Sequence, residues 1–372
     1  SPTVVVGGAV DSSLLQEAAS KPKTKNRDKE RFTAPILPQV EGTTLSILQK
    51  CPPTAHQSPR HPEKQNPTKP HPNKHQKVEL GMETRRLGRT GHHSSLAVLG
   101  GAAFALDTPE TAEPLFQEAL ACGLNHLDIA PGYRNAERAI GPHLPAVRDQ
   151  LFVAAKTAET ERDWALSRLE KTLNRLQLDH LDLYQAHGVT SLEELDRRDE
   201  AFQVILEARD QGLTRFVGIT GHDLGTPKAQ QAAVERYDLD TVMFPLNAHL
   251  WANPTYRADA ESLLETCAQR DVGVMIIKAT AWRPWGDRKP DALSWYEPHR
   301  TPEGIQNSVN FALSIPGVHA FCTPSDPTAA QQSFAAAQAF TPLSQDLLKQ
   351  TTDADTGSDI FPLAELAVSA WA

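Results

Sequence analysis

Leu127-Asp128-Ile129-Ala130-Pro131-Gly132-Tyr133 closes a short apolar run on an acid and places a phenol five residues further on. Two more runs end in the same way: Val153-Ala154-Ala155-Lys156 on an ammonium and Leu183-Tyr184-Gln185-Ala186-His187 on an imidazole. Short apolar runs of this length, bounded by turn residues and separated by helix-period segments, read as buried parallel strands. Working outward, further strand candidates fall at Leu96–Gly100, Leu124–Ile129, Leu151–Ala155, Leu181–Gln185, Arg215–Ile219, Thr241–Phe244, Val272–Ile277 and Val318–Cys322. Helical periodicity lies between them over Thr111–Ala121, Trp164–Leu176, Leu192–Gln211, Pro227–Arg236, Ala258–Arg270, Pro302–Leu313 and Pro327–Ala339. Thr108, Asp163, Thr226, Thr301 and Asp326 are the N-cap or near-cap candidates. Gly123, Gly212 and Gly273 stand where helices should stop.

Eight strands alternating with helices imply a parallel sheet with helices outside, and eight is the number that closes a (β/α)8 TIM barrel of roughly 250 residues. An open doubly wound sheet would call for a Gly-rich phosphate loop after its first strand. Gly100-Gly101-Ala102-Ala103 lacks that spacing. The expected fold is therefore a (β/α)8 barrel over residues 82–342, with a C-terminal helix at Ser344–Gln350 and a tail within 343–372.

Residues 1–81 differ from the rest. They carry 12 Lys/Arg against 7 Asp/Glu and 11 of the 28 prolines, whereas the remaining 291 residues carry 25 against 39, a net of −14. The first segment reads as a disordered Pro/Lys/His-rich extension, because its composition buries too little apolar surface to offset ordering entropy. Thr44–Leu48 is a marginal helical turn within it. Met82, the first of three methionines, stands where ordered-looking sequence begins. It is read as the biological start, with a genuine flexible tail as the competing reading. The acidic main region argues against nucleic acid or an anionic membrane as partner. Cys51, Cys122, Cys267 and Cys322 show no metal-type or redox spacing, which points to a reducing cytoplasm. No apolar run is long enough to span a bilayer.

At strand ends in a barrel, Asp128, Tyr133, Lys156 and His187 would share one mouth. Neighbouring strands lie about 5 Å apart, so these side chains are within reach of one another. An ammonium beside a phenol favours its ionisation and is expected to lower its pKa. A carboxylate behind the ammonium offsets the cost of burying that charge. The set suits general acid catalysis at a carbonyl oxygen, with hydride from a cofactor. Each residue alone has a plainer reading: a cap, a packing aromatic, a surface charge, a loop imidazole. All four in register on consecutive strand ends make coincidence the weaker account.

With these residues in place, the region from about Met82 to Phe340 resembles the aldo-keto reductase family. Arg86-Leu87-Gly88-Arg89-Thr90-Gly91 looks like that family's N-terminal β-hairpin, which plugs the barrel floor. Asp128-Ile129-Ala130-Pro131-Gly132-Tyr133 with Glu137 and Gly141 is similar to its Asp-Thr-Ala…Tyr…Glu…Gly segment, and Tyr184-Gln185-Ala186-His187 to its fourth-strand motif. The resemblance implies that Tyr133 donates the proton, Lys156 tunes it, Asp128 pairs with Lys156 and His187 orients the carbonyl. It also implies a nicotinamide cofactor, NADPH with NADH as the alternative, and a small-molecule aldehyde or ketone as substrate.

The cofactor-binding candidates are Gly101, Thr220, Gly221, Asn247, Lys278, Thr323 and Ser325. Family members often carry Ser-Asn where this chain has Thr220-Gly221, and an aromatic near Leu246. The basic clasp for a 2′-phosphate is missing beside Asp326, which doubles as a helix-cap candidate. Lys278 reads as a ligand for a cofactor phosphate or substrate, or as a structural ion-pair member. Trp282, Trp285 and Trp295 sit in a long loop and either wall a substrate or pack the loop down. Phe361–Trp371 is apolar enough to fold back over the barrel. Two other classes stay open: a dinucleotide-binding redox sensor with little turnover, and a metal-dependent hydrolase using Asp128, Lys156, His187, His222 and His249. The expected metal count is none.

Overall fold

The computed structural model describes residues 81–361. The expectations for the Pro-rich extension and for the tail beyond Phe361 lie outside those residues.

Eight parallel strands close a barrel: β1 (Ala97–Gly100), β2 (His126–Asp128), β3 (Phe152–Thr157), β4 (Leu181–His187), β5 (Thr214–Thr220), β6 (Thr241–Pro245), β7 (Gly273–Ile277) and β8 (Ala320–Cys322), with β8 pairing back onto β1. Side chains alternate across each strand, so every strand feeds two cores. Val98, Phe152, Ala154, Leu183, Met243, Met275 and Ala320 form an interior cluster. Val153, Ala155, Tyr184, Ala186, Val217 and Ile219, one residue out of step with those, join the larger cluster beneath the helices. The interior of β3 and β4 continues upward in Lys156, Gln185 and His187.

The floor is sealed by a hairpin whose strands Thr84–Arg86 and His93–Ser95 pair antiparallel. Leu87, fully buried, plugs the interior cluster from below. Gly273 is the residue that admits it. A Cβ there would lie 2.7 Å from Leu87 Cγ. Gly273 was expected as a helix stop, but it is the first residue of β7. The left-handed stop before it is Asp271, φ 53°. Gly123 and Gly212 do take the left-handed conformation, with φ of 88° and 75°.

Thr108, Thr301 and Asp326 occupy N-cap positions. Asp163 and Thr226 are near-cap residues: Thr226 opens its helix after Gly225 at the N-cap, and Asp163 is the second residue of the helix that follows Glu161. The helix expected over Leu192–Gln211 is broken at Arg198 into Leu192–Arg197 and Asp199–Asp210. The buried Arg198 guanidinium turns there to reach the carbonyls of Ala158 and Glu159.

Candidate active site

The registers Gly100↔Asp128, Asp128↔Ala154, Lys156↔Gln185 and His187↔Thr220 bring the ends of β1 to β5 to one level of the barrel mouth. Lys156 Nζ donates to Asp128 Oδ2 in a short ion pair, with both side chains 1–2% exposed. The same ammonium donates to Tyr133 Oη at 3.3 Å. Gln185 Nε2 donates to the other Asp128 oxygen at 3.1 Å. The Cys322 thiol, from the end of β8, lies 3.8 Å from Oδ2. Tyr133 packs edge-on against His187, ring centres 6.2 Å apart. All four catalytic candidates therefore meet.

Burial opposes the Lys156 charge, but Asp128, then Tyr133 and Cys322, outweigh it and raise this ammonium above its ordinary range. For Tyr133 the balance runs against the sequence expectation. Burial pushes the phenol up to about 12, and the opposing pull of Lys156 does not overcome it. The expected lowering is thus present as one contribution and reversed in sum, because desolvation of the phenolate is the larger effect. The Cys322 thiol is also pushed up, chiefly by burial, and stays neutral.

His187 has a neighbour that the strand pattern did not assign to it. Its Nε2 lies 2.8 Å from Nε2 of His222, which stands just past the end of β5. Burial, then the charge of Lys156, holds His187 far below the ordinary imidazole value; burial, then Lys278, does the same to His222. One N–H and one lone pair thus join two neutral rings. His222 Nδ1 and the Thr220 hydroxyl are both buried without a hydrogen-bond partner among the described residues. Gln185 shares the inward parity of His187, and that parity is the signal by which the sequence could have found it.

The remaining candidates are placed differently. A Cβ at Gly101 would lie 2.7 Å from Ile129 Cγ1, and one at Gly221 only 2.1 Å from the Val189 carbonyl oxygen, so both glycines admit close packing. Asn247 caps the helix Ala248–Ala252 by accepting from Leu250 N, and its amide donates to the Lys278 carbonyl. Thr323 Oγ1 accepts from Gly100 N at 2.9 Å, tying β8 to β1. Ser325 donates to the Leu293 carbonyl at 2.5 Å, and Asp326 accepts from Leu293 N as well as from Ala329 N. Lys278 directly follows β7 at the mouth.

The aromatic loop is a lid. Ala281–Arg283 pairs with Glu297–Pro298. Glu297 accepts from Arg283 and Arg288, and these hydrogen bonds, that of Arg288 first, hold its carboxyl down at about 2. Trp285 packs the lid through Nε1 to the Ser294 carbonyl. Trp295 reaches the site, its ring 6.4 Å from that of Tyr133. Residues 354–361 run back over this side: Ser358 N donates to the Trp282 carbonyl, and Phe361 is buried. A cleft of about 460 Å³ lies apart, between the helices Pro302–Ser314 and Gln345–Asp353. It is lined by Asn247, Phe311 and Leu347 and by none of the four catalytic candidates. Among the described residues, no three His, Cys, Asp or Glu side chains are grouped to hold a metal, and no helix is long and apolar enough to cross a membrane.

Residues 98–292 match the model of the Aldo/keto reductase family, and the chain belongs to that family. It is 31% identical to the L-galactose dehydrogenase of Arabidopsis thaliana over 157 residues, 38% of this chain and 49% of that protein. It is 33% identical to an aldo-keto reductase of Mycobacterium ulcerans over 132 residues, 34% and 45% of the two chains. With the methylglyoxal reductase DkgA of Yersinia pestis the identity is 28% over 164 residues, 41% and 57%. The chain thus spans about half the length of these relatives. The solved structure of aldo-keto reductase AKR11C1 from Bacillus halodurans, holo form, is similar in fold, with a TM-score of 0.57 over 74% of this chain and 97% of that one at 20% identity.

Proposed function

We propose that this chain reduces an aldehyde or ketone to an alcohol, with Tyr133 as general acid. The observation that carries the reading is the run Asp128–Lys156–Tyr133, its ion pair buried and its phenol partly so, with His187 against the phenol. Tyr133, raised further by burial, is protonated at neutral pH, so a proton waits where a carbonyl oxygen would gain negative charge. As that proton leaves, Lys156 faces the new phenolate directly, and its attraction grows with the charge. Asp128 keeps Lys156 charged and aimed, and Gln185 fixes Asp128. Neutral His187 orients the carbonyl by hydrogen bonding.

A reduced nicotinamide would supply the hydride. The fit rests on two orphaned polar atoms beside His187, the Thr220 hydroxyl and His222 Nδ1, which a carboxamide would satisfy. Thr220 is therefore the residue proposed to hold it. Gly101 and Gly221 keep the backbone tight around the mouth. Asn247, Thr323 and Ser325 fix the loops, and Ser325 and Asp326 tie the lid to the start of the helix Pro327–Gln338. NADPH is the proposed cofactor, with NADH as the alternative.

The test is oxidation of NADPH and of NADH against a panel of aromatic and aliphatic aldehydes, in the parent and in Tyr133→Phe. Turnover that collapses in the variant while cofactor affinity persists supports the reading. Cofactor binding without turnover in the parent supports a dinucleotide-binding sensor instead, and absence of binding removes both.

A further inference from the structure

Lys156 and Lys278 are both buried at the barrel mouth, but only Lys156 has a counter-ion. Lys278 is 8% exposed and sits in the left-handed region, φ 63°, which a side chain of this size seldom adopts. Its carbonyl is locked by Asn247 Nδ2 and by the Ala281 amide at 3.1 Å. The ammonium lies 5.3 Å from the centre of the Tyr296 ring and 5.9 Å from that of Phe361. Among the described residues, no carboxylate lies within 4.0 Å of Nζ and no group accepts a hydrogen bond from it. The lid arginines, by contrast, are all paired: Arg283 and Arg288 with Glu297, Arg300 with Asp291. Burial lowers Lys278 to about 8, opposed by the more distant Asp223. The group is still mainly charged at neutral pH. Two aromatic faces steady it, and its N–H donors remain unmatched.

The surroundings place this charge at the reacting end of the site. It is felt by His222 and His187. Tyr296 follows Trp295, whose ring packs towards Tyr133. A molecule with its carbonyl oxygen between Tyr133 and His187 would lie within the field of Lys278. A cofactor phosphate would be separated from the nicotinamide by at least a ribose.

We propose that Lys278 is the anion-binding residue of the substrate subsite, and that the preferred substrates are aldehydes or ketones bearing a carboxylate. This rests on the reductase reading for turnover, but not for binding. An anion there completes an ion pair that the folded chain leaves half-made, and Tyr296 and Phe361 keep water from competing for it.

The experiment uses two matched pairs, 4-carboxybenzaldehyde with benzaldehyde and 4-oxobutanoate with butanal, in the parent, Lys278→Met and Lys278→Arg. Benzoate and NADPH affinities are measured by calorimetry, and circular dichroism confirms that each variant folds. The parent is expected to favour the carboxylate member of each pair by about ten- to hundredfold in kcat/KM, a charge-assisted hydrogen bond's worth. Lys278→Met is expected to bring that ratio near one and weaken benzoate about tenfold or more, and Lys278→Arg to retain both. Equal kcat/KM within the parent's pairs overturns the proposal, as does a Lys278→Met variant that loses NADPH affinity while benzoate binding is unaltered. The latter result assigns the anion to the cofactor. Benzoate binding that depends on Lys278 without turnover of any aldehyde upholds the subsite and removes the reductase reading.

Discussion

The two sides of the barrel mouth treat their polar residues differently. On the β2–β4 side, Asp128, Lys156 and Gln185 point inward and bond to one another, Lys156 also to Tyr133, while His187 bonds to His222, so these side chains form one connected polar apparatus. On the β5–β8 side, Asn247, Thr323 and Ser325 bond to backbone and hold loops, while Thr220, His222, Lys278 and the Trp282 indole keep unmatched polar atoms among the described residues. The polar residues that find partners thus differ in kind: on one side the bond closes on a side chain of the mouth, on the other on backbone. The first arrangement is suited to chemistry and the second to shape.

The largest expected effect tests the first side. Tyr133→Phe should lower kcat for carbonyl reduction by about 10²–10⁴, the usual weight of a positioned general acid, with cofactor affinity within about threefold of the parent. Stopped-flow or steady-state rates check it, and a variant within tenfold of the parent would dissolve the distinction drawn here. Next, Lys156→Met leaves the Asp128 carboxylate buried without its partner. It should cost about 3–5 kcal/mol of stability in urea unfolding, in addition to activity.

On the other side, Gly221→Asn puts back the amide that many relatives carry. The structure predicts harm, because the Cβ would fall 2.1 Å from the Val189 carbonyl oxygen. A loss of about 1–3 kcal/mol without improved NADPH affinity is expected, read from unfolding and titration together. Thr323→Val removes the acceptor of the Gly100 amide. It should lower stability by about 1–3 kcal/mol, nearer the lower figure, with little change in cofactor affinity. A large affinity loss in that variant would move Thr323 to the side of residues that meet ligands.

The gentlest probe is pH. His187 and His222 are held neutral below the ordinary value of 6.5 by burial first, and His92, also chiefly by burial, is lowered to about 4. A depressed folded-state value means that the stability these groups contribute is complete above pH 6.5 and is lost as the pH falls towards their folded values. The urea midpoint should therefore fall progressively from pH 6.5 to 4, and a midpoint constant over that range would contradict neutral burial of these rings.

Much of this was legible in the sequence for a simple reason. Strand alternation has a period of two, so Asp128, Lys156 and His187 at the ends of apolar runs had to face one way, and their types named the chemistry. Gly273 misled because a glycine after a helix and a glycine under a plugging leucine look alike along the chain. Asn247 and Ser325 carry backbone bonds that spacing did not show, because a loop polar group can serve backbone, ligand or both, and the position of its partner belongs to the tertiary structure. His222 lacked a partner in the sequence reading because its contact with His187 joins residues 35 apart across two strands.

By itself, then, the sequence determined the barrel, its order of strands and the four catalytic candidates, since these follow from local periodicity and residue type. Tertiary structure alone decided the sign of the Tyr133 shift, the pairing of the two histidines, the loop duties of Asn247, Thr323 and Ser325, and the solitary charge of Lys278. Each of those depends on desolvation or on contacts between distant segments, which no spacing along the chain encodes.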